Sequence, residues 1–278
     1  MKNFYDQVCY RCSKLTTQAY STSFSLGIKF LKKQYHNPIY AIYGFVRFAD
    51  EIVDSFHDFP KEDLLNDFEK HTYQAIAQKI SLNPILNTFQ QTVHQFQIDH
   101  ELIDTFLQSM RMDLSNKTYS EQEYKTYILG SAEVVGLMCL KVFCNGEQAL
   151  YNKLKDKAMK LGSAFQKINF LRDMHEDAGE LGRIYFPGVN LNQFDEACKA
   201  DIVKDIEADF KAGLEGIRQL PKGSRFGVYM AYVYYHSLLK KIRRTSSQVI
   251  LSKRVRIPDN IKYALFLGSY VKHRFDLI

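Results

Sequence analysis

Tryptophan is absent from this 278-residue chain, and cysteine, proline and glycine are sparse at 5, 6 and 14 residues. An odd set of five cysteines does not make a disulfide framework. Cys9-x-x-Cys12 has no second such pair and no nearby His, which removes a zinc site and leaves reduced thiols. No run of 18 apolar residues is present to span a bilayer, and Met1-Lys2-Asn3-Phe4-Tyr5-Asp6 lacks the apolar centre of a signal peptide. The expectation is a cytoplasmic protein. Also missing are a glycine-rich dinucleotide fingerprint, a P-loop and a Ser/His/Asp or Cys/His site. Without linker-like or low-complexity tracts or repeats, residues 1–278 read as one domain.

What the chain does have is aromatic bulk, 18 Tyr and 20 Phe, enough to wall a core or a cavity. Its prolines punctuate helices: Asn37-Pro38 and Asn83-Pro84 read as N-cap followed by first helical residue, and Pro60, Pro221 and Pro258 stand at further helix starts. Pro187 falls in a glycine-containing loop. Alternating runs are short, so strand signals are weak. The pattern predicts an all-α protein with helices over 3–20, 38–56, 61–80, 84–94, 99–114, 120–144, 147–179, 191–218, 222–247 and 258–274.

Two acidic ladders dominate the chemistry. Asp50 and Asp54 are four residues apart, as are Asp173 and Asp177, so on helices each pair stacks on one face. A single such pair is most often a solvated face. Here the direction differs: at about 100° per residue, Asp50 and Tyr43 fall within the apolar stripe of Ile39, Ile42, Val46 and Val53, with Asp54 at its margin. In the second helix Gln166, Asn169, Asp173 and Asp177 form a polar row beside Leu154, Ala158, Leu161, Phe165 and Ile168. Unpaired carboxylates bordering a core are costly, so a cation should bind between the helices. Oxygen donors without a Cys/His cluster suggest Mg²⁺, with Mn²⁺ as a substitute, shared with substrate phosphates.

Arg47 precedes Asp50 by three residues and Glu51 by four; it is an ion-pair partner on the helix or, with metal on the aspartates, a phosphate contact. Arg172 and Arg183 flank the second ladder, and arginine suits phosphate. Ser21-Thr22-Ser23-Phe24 is read as the end of the first helix, either as a hydroxyl cap or as a phosphate-holding turn. The net charge of +6 is spread, apart from Lys240-Lys241-Ile242-Arg243-Arg244 and Lys253-Arg254-Val255-Arg256. These clusters are solvated faces, with a phosphate-facing role competing for the second. Core-facing carboxylates argue against nucleic acid as the partner.

Taken together, these pieces resemble the squalene/phytoene synthase family, and most closely its bacterial phytoene synthase branch. The residues that carry the resemblance are Ser21 to Phe24, Ala41 to Asp54, Met112-Asp113-Leu114, Tyr127 to Gly136, Gln166 to Asp177 and Gly182-Arg183-Ile184-Tyr185-Phe186-Pro187. They are collinear with the family over nearly the whole chain. The resemblance implies an isoprenoid-synthase helix bundle with a central cavity. It also implies Mg²⁺ on Asp50, Asp54, Asp173 and Asp177, with Asn169 and Gln166 beside it. Diphosphate contacts would come from Ser21, Ser23, Arg47, Arg172 and Tyr235, and Tyr43 and Tyr127 would face the cavity or its cation. Two departures stand out: Ser131-Ala132-Glu133 before Gly136, with Leu129 in place of a frequent aromatic, and His175-Glu176.

The reaction implied is head-to-head condensation of two prenyl diphosphates, through a cyclopropylcarbinyl diphosphate, to a conjugated triene. The preferred substrate is geranylgeranyl diphosphate, giving phytoene without NADPH. The alternatives are farnesyl diphosphate with squalene or dehydrosqualene as product, and a non-catalytic assembly homologue. A basic surface also suits peripheral contact with anionic lipid.

Overall fold

The computed structural model describes residues 1–115 and 118–258. Twelve α-helices are present among the described residues, with no strand beyond one isolated bridge between Thr118 and Ile184. The first six are α1 (Lys2–Tyr20), α2 (Thr22–Lys29), α3 (Lys33–Ser55), α4 (Lys61–Gln78), α5 (Pro84–Phe96) and α6 (His100–Ser115). A second set follows: α7 (Glu121–Ile128), α8 (Val134–Cys144), α9 (Gln148–Glu176), α10 (Glu196–Gln219), α11 (Lys222–Arg244) and α12 (Ser247–Ser252). The all-α expectation holds. The helix expected over 258–274 lies outside the described residues, apart from Pro258 itself, which is not helical.

Several boundaries differ from expectation for identifiable reasons. Helix α3 begins at Lys33, so Pro38 lies inside it rather than at its start. Burial of Tyr35, whose ring meets Phe143 edge-on at 5.7 Å, holds the extra turn in place, against the backbone bond that proline forfeits. Pro84 does follow its cap: Asn83 Oδ1 accepts from the amides of Ile85 (3.0 Å) and Leu86 (3.3 Å). Ser21 ends α1 but also opens a helix the sequence pattern missed, its hydroxyl accepting from the Phe24 amide at 3.2 Å. The stretch expected as one helix over 222–247 breaks after Arg244, and α12 follows as a separate piece. The stretch expected over 191–218 is a 3-10 turn, Leu191–Gln193, followed by α10, which is capped by Asp195.

Two π-helical turns interrupt long helices: Leu129–Glu133 between α7 and α8, and Asp177–Leu181 after α9. At the first, Gly130 presses on α6. A Cβ there would stand 2.5 Å from Ser109 Cβ and 2.6 Å from the Thr105 carbonyl oxygen. Close packing thus compensates for glycine in a helix interior. Beyond α8 the step Asn145-Gly146 turns the chain, both residues having positive φ (47° and 87°).

Two apolar cores share the bundle. Phe45, Phe89 and Phe106 centre one, built from α3 to α6 and α8; Ile168, Leu171, Phe210 and Leu239 centre the other, built from α9 to α11. The stretch Glu121–Cys144 is apolar and long enough by composition to cross a membrane, but 56% of that window is buried here as core. Helices α3 and α9 each give one face to a core and present a neighbouring row, of intermediate exposure, to the space between the cores.

Candidate active site

On α3 the core face is Ile39, Ile42, Phe45, Ala49, Ile52 and Val53, all buried. The adjoining row of Tyr43, Val46, Arg47, Asp50 and Asp54 is part-exposed at every position, the 3.6-residue repeat of one helix face. Val46, part of the expected apolar stripe, packs against the core from this margin. Tyr43 lies against Phe24 of α2 (ring centroids 5.3 Å apart) and interacts with the Ser21 hydroxyl. Ser23 is half-buried in the first turn of the same helix. Arg47 makes the ion pair with Glu51 that its spacing foretold, and its guanidinium covers the Tyr20 ring at 4.3 Å.

On α9, Ile168 and Leu171 are fully buried, while Gln166, Asn169 and Asp173, with Asp177 at the start of the π turn that follows, are part-exposed. Asn169 Nδ2 donates to Gln166 Oε1 at 3.5 Å, and Asn169 Oδ1 is buried without a partner. Arg172 Nε donates to Asp173 Oδ1 at 2.8 Å. Tyr235 of α11 stacks on Phe165 (4.1 Å, 16°) and interacts with Arg172, Asn169 and Asp173, and the neighbouring Tyr234 also bears on Arg172.

The carboxylates bear on one another across the helices. Burial and then the Asp54 charge push the Asp50 carboxyl up to about 8, with Arg47 opposing. Burial, then Asp173 and Asp54, raise Asp177 to about 8 as well, with Arg183 opposing. Carboxyls that hold protons at such pH lack compensating positive charge. Among the described residues no three His, Cys, Asp or Glu side chains converge closely enough to hold an ion unaided. Arginines take up part of the charge: Arg183 reaches Asp54 at 2.7 Å and Arg254 reaches Asp173 at 2.9 Å. An all-oxygen donor set, two carboxyls short of a counter-charge and the orphaned Asn169 oxygen together fit a hard cation that completes its shell with water and phosphate.

A pH dependence follows. Unfolded, Asp50 and Asp177 titrate near 3.8; folded, near 8. Between these values the folded protein holds protons the unfolded chain has released, so these groups cost stability as pH rises through that window. Metal-free protein is expected to melt lower at pH 8 than at pH 6, with a shallower fall in Asp50→Asn and recovery on adding Mg²⁺ at pH 8. Identical pH slopes for wild type and Asp50→Asn in EDTA would contradict this.

The expected site residues thus gather on α2, α3, α9 and α11, except Tyr127, which takes part in a deeper network. Its hydroxyl donates to Asp113 Oδ2 at 2.6 Å, while Tyr119 (2.9 Å) and Tyr185 (3.3 Å) donate to Asp113 Oδ1. Arg183 donates to the Asp113 carbonyl at 2.8 Å as well as to Asp54. Burial lifts the Asp113 carboxyl to about 6 against the pull of Arg183 and the tyrosine hydrogen bonds. Asp113 and Tyr185 stand in motifs visible in the sequence without a site role read from them, whereas Arg183 and the cluster of Arg254 are read there as candidates for phosphate and here pair with Asp54 and Asp173. Glu133, in the unusual Ser131-Ala132-Glu133 step, lies among the charges of Lys160, Asp209 and Lys167 toward α10. Lys167 is buried there between Asp205 and Asp209.

The chain is similar to known proteins in sequence and in fold. Residues 17–260 match the family model described as squalene/phytoene synthase. A phytoene synthase of Arthrospira platensis is 28% identical over 89% of this chain and 87% of its own length. A 4,4'-diapophytoene synthase of Staphylococcus haemolyticus is 26% identical over 73% of this chain and 69% of its own. Among solved structures, a dehydrosqualene synthase in complex with ligand superposes with a TM-score of 0.82 at 20% identity, covering 97% of this chain and 98% of that one.

Proposed function

The chain belongs to the squalene/phytoene synthase family, whose members are prenyltransferase-type enzymes, and from that premise we propose that it is a phytoene synthase joining two geranylgeranyl diphosphates. The observation that carries this reading is the pair of acidic ladders, one on α3 and one at the end of α9, close enough that the Asp54 charge of the first raises the proton affinity of Asp177 in the second. The similarity to the Arthrospira phytoene synthase over most of both chains supports the C20 substrate.

Asp50, Asp54, Asp173 and Asp177, with the free oxygen of Asn169, would hold Mg²⁺. When bound, it supplies positive charge that steadies a departing diphosphate. Arg47 and Arg172 are placed to trade their present carboxylates for phosphate oxygens, since arginine's fork serves either. Ser21, Ser23 and Gln166 would add polar contacts to the diphosphates. In the first step the allylic C–O bond breaks and its electron pair leaves with diphosphate. The alkene of the second molecule attacks the resulting cation, and proton loss closes a cyclopropylcarbinyl diphosphate. A second ionisation, rearrangement and proton loss give the triene. Phe24, Tyr43, Phe165 and Tyr235 present aromatic faces beside this charge, where they stabilise a cation and exclude water.

A C15 substrate is the second reading, favoured by the Staphylococcus relative named 4,4'-diapophytoene synthase. Purified protein with Mg²⁺ and either farnesyl or geranylgeranyl diphosphate, with and without NADPH, separates the two by mass spectrometry. The expected result is a C40 triene from the C20 substrate without NADPH. A C30 hydrocarbon alone moves the protein to the shorter substrate, and no product from folded protein removes both readings.

A further inference from the structure

The turn between α3 and α4 brings one more cation beside Asp54. Phe56 follows the last residue of α3 and packs against the first core, and Phe59 meets its ring at 6.0 Å. With the turn held in this way Lys61, the first residue of α4, reaches back over the end of α3. Its ammonium donates to the Val53 carbonyl at 2.8 Å and to Nδ1 of His57 at 3.1 Å. An ammonium has three protons to donate, and the third meets no acceptor among the described residues.

A lysine beside the last carbonyls of a helix is ordinarily an end cap. Here a cap does not account for the arrangement. Arg183 already donates to the same Val53 carbonyl at 3.3 Å, while its other terminal nitrogen holds Asp54 at 2.7 Å. Two cations thus share one neutral acceptor, and like charges at such range repel. The pairing of charges around the acidic ladders is also uneven. Arg47, Arg172, Arg183 and Arg254 each hold a carboxylate. Lys61 is half-buried and makes no ion pair among the described residues; the charges that bear on it are those of Arg183 and Asp54.

Filling the cation site sharpens the conflict. A divalent ion on Asp54 takes up the carboxylate that offsets Lys61 and Arg183, and sets its own positive charge beside theirs. An anion arriving with the ion removes the conflict. We propose that Lys61 is a diphosphate-binding residue: its ammonium leaves the Val53 carbonyl to Arg183 and turns to the oxygens of the diphosphate whose cation rests on Asp54, so that this cation binds well only together with its anion. The inference rests on the cation site read above and is indifferent to the length of the prenyl chain.

The test reads two effects of opposite sign. Lys61→Met removes a charge that repels a bare divalent ion and attracts a diphosphate. Mg²⁺ alone, followed by the melting temperature it confers, should therefore reach half-effect at a severalfold lower concentration than in wild type. Inorganic diphosphate with saturating Mg²⁺, followed by calorimetry, should bind about tenfold more weakly, the scale of one charge-assisted hydrogen bond, and KM for the prenyl diphosphate should rise with it. Lys61→Arg should restore diphosphate affinity, and Lys70→Met, exposed on the same helix, should change neither quantity. A lower melting temperature with both affinities unchanged would reduce Lys61 to an end cap and overturn the proposal. Weakened binding of Mg²⁺ and diphosphate alike would mean a distorted site and overturn it too. Wild type that binds no diphosphate in the presence of Mg²⁺ would remove the cation site itself, and the role of Lys61 with it.

Discussion

Asp50→Asn and Asp173→Asn are each expected to lower the rate of diphosphate release about 10³-fold, the scale on which losing one charge-stabilising group from a preorganised site acts, while the protein stays folded. Asp50 makes the sharper experiment because its folded-state cost is visible. Its carboxyl is pushed to about 8 by burial and by Asp54, so in the metal-free protein its charge is a liability. Asparagine keeps the shape and removes the charge. Without metal, Asp50→Asn should therefore melt at or above wild type at pH 8, and loss of activity cannot be blamed on unfolding. Single-turnover release of diphosphate, read beside a thermal melt in EDTA, tests both halves. Activity within tenfold of wild type would remove Asp50 from the cation site, and a markedly lower melting temperature would contradict its unfavourable charge.

The two ladders were legible because helix periodicity places i and i+4 on one face without any knowledge of the partner helix. That four aspartates, Gln166 and Asn169 border the core follows from their register against Ile39, Ile42, Leu154 and Ile168, which are buried while the six polar residues are of intermediate exposure. Less legible was whatever depends on a distant neighbour. Pro38 sits inside α3 because Tyr35 is buried against Phe143, a contact 108 residues away in sequence. Helix α2 is eight residues long, too short to show a period, and its cap Ser21 also ends α1. The π turn at Leu129–Glu133 reflects Gly130 meeting α6, which no local pattern encodes. Arg183 lies 129 residues from its partner Asp54 in sequence, so its motif marks it as a phosphate or carboxylate binder while the pairing itself leaves no local signal.

Asp113→Ala is expected to destabilise the protein by about 3–5 kcal/mol, the range for removing one member of a buried charged network. One carboxylate accepts from the hydroxyls of Tyr119, Tyr127 and Tyr185, all three buried, and lies 3.8 Å from the Arg183 guanidinium. Alanine would leave three phenols and an arginine seeking acceptors where water is scarce, and an unmade bond in such a place costs far more than a made one gains. For a chain of this size the loss corresponds to a melting temperature lower by on the order of 10 °C. Asp113→Asn retains an acceptor oxygen and the packing volume, so its loss should be clearly smaller. The two variants also separate fold from function. Arg183 ties this network to Asp54, so a relaxed Arg183 would bind Asp54 more tightly and compete with the cation there. In Asp113→Asn, assayed well below its melting temperature, the Mg²⁺ concentration giving half-maximal activity should therefore rise. An unchanged Mg²⁺ requirement together with a lowered melting temperature would confine Asp113 to a structural role, and a melting temperature unchanged in Asp113→Ala would mean that the three tyrosines do not depend on it.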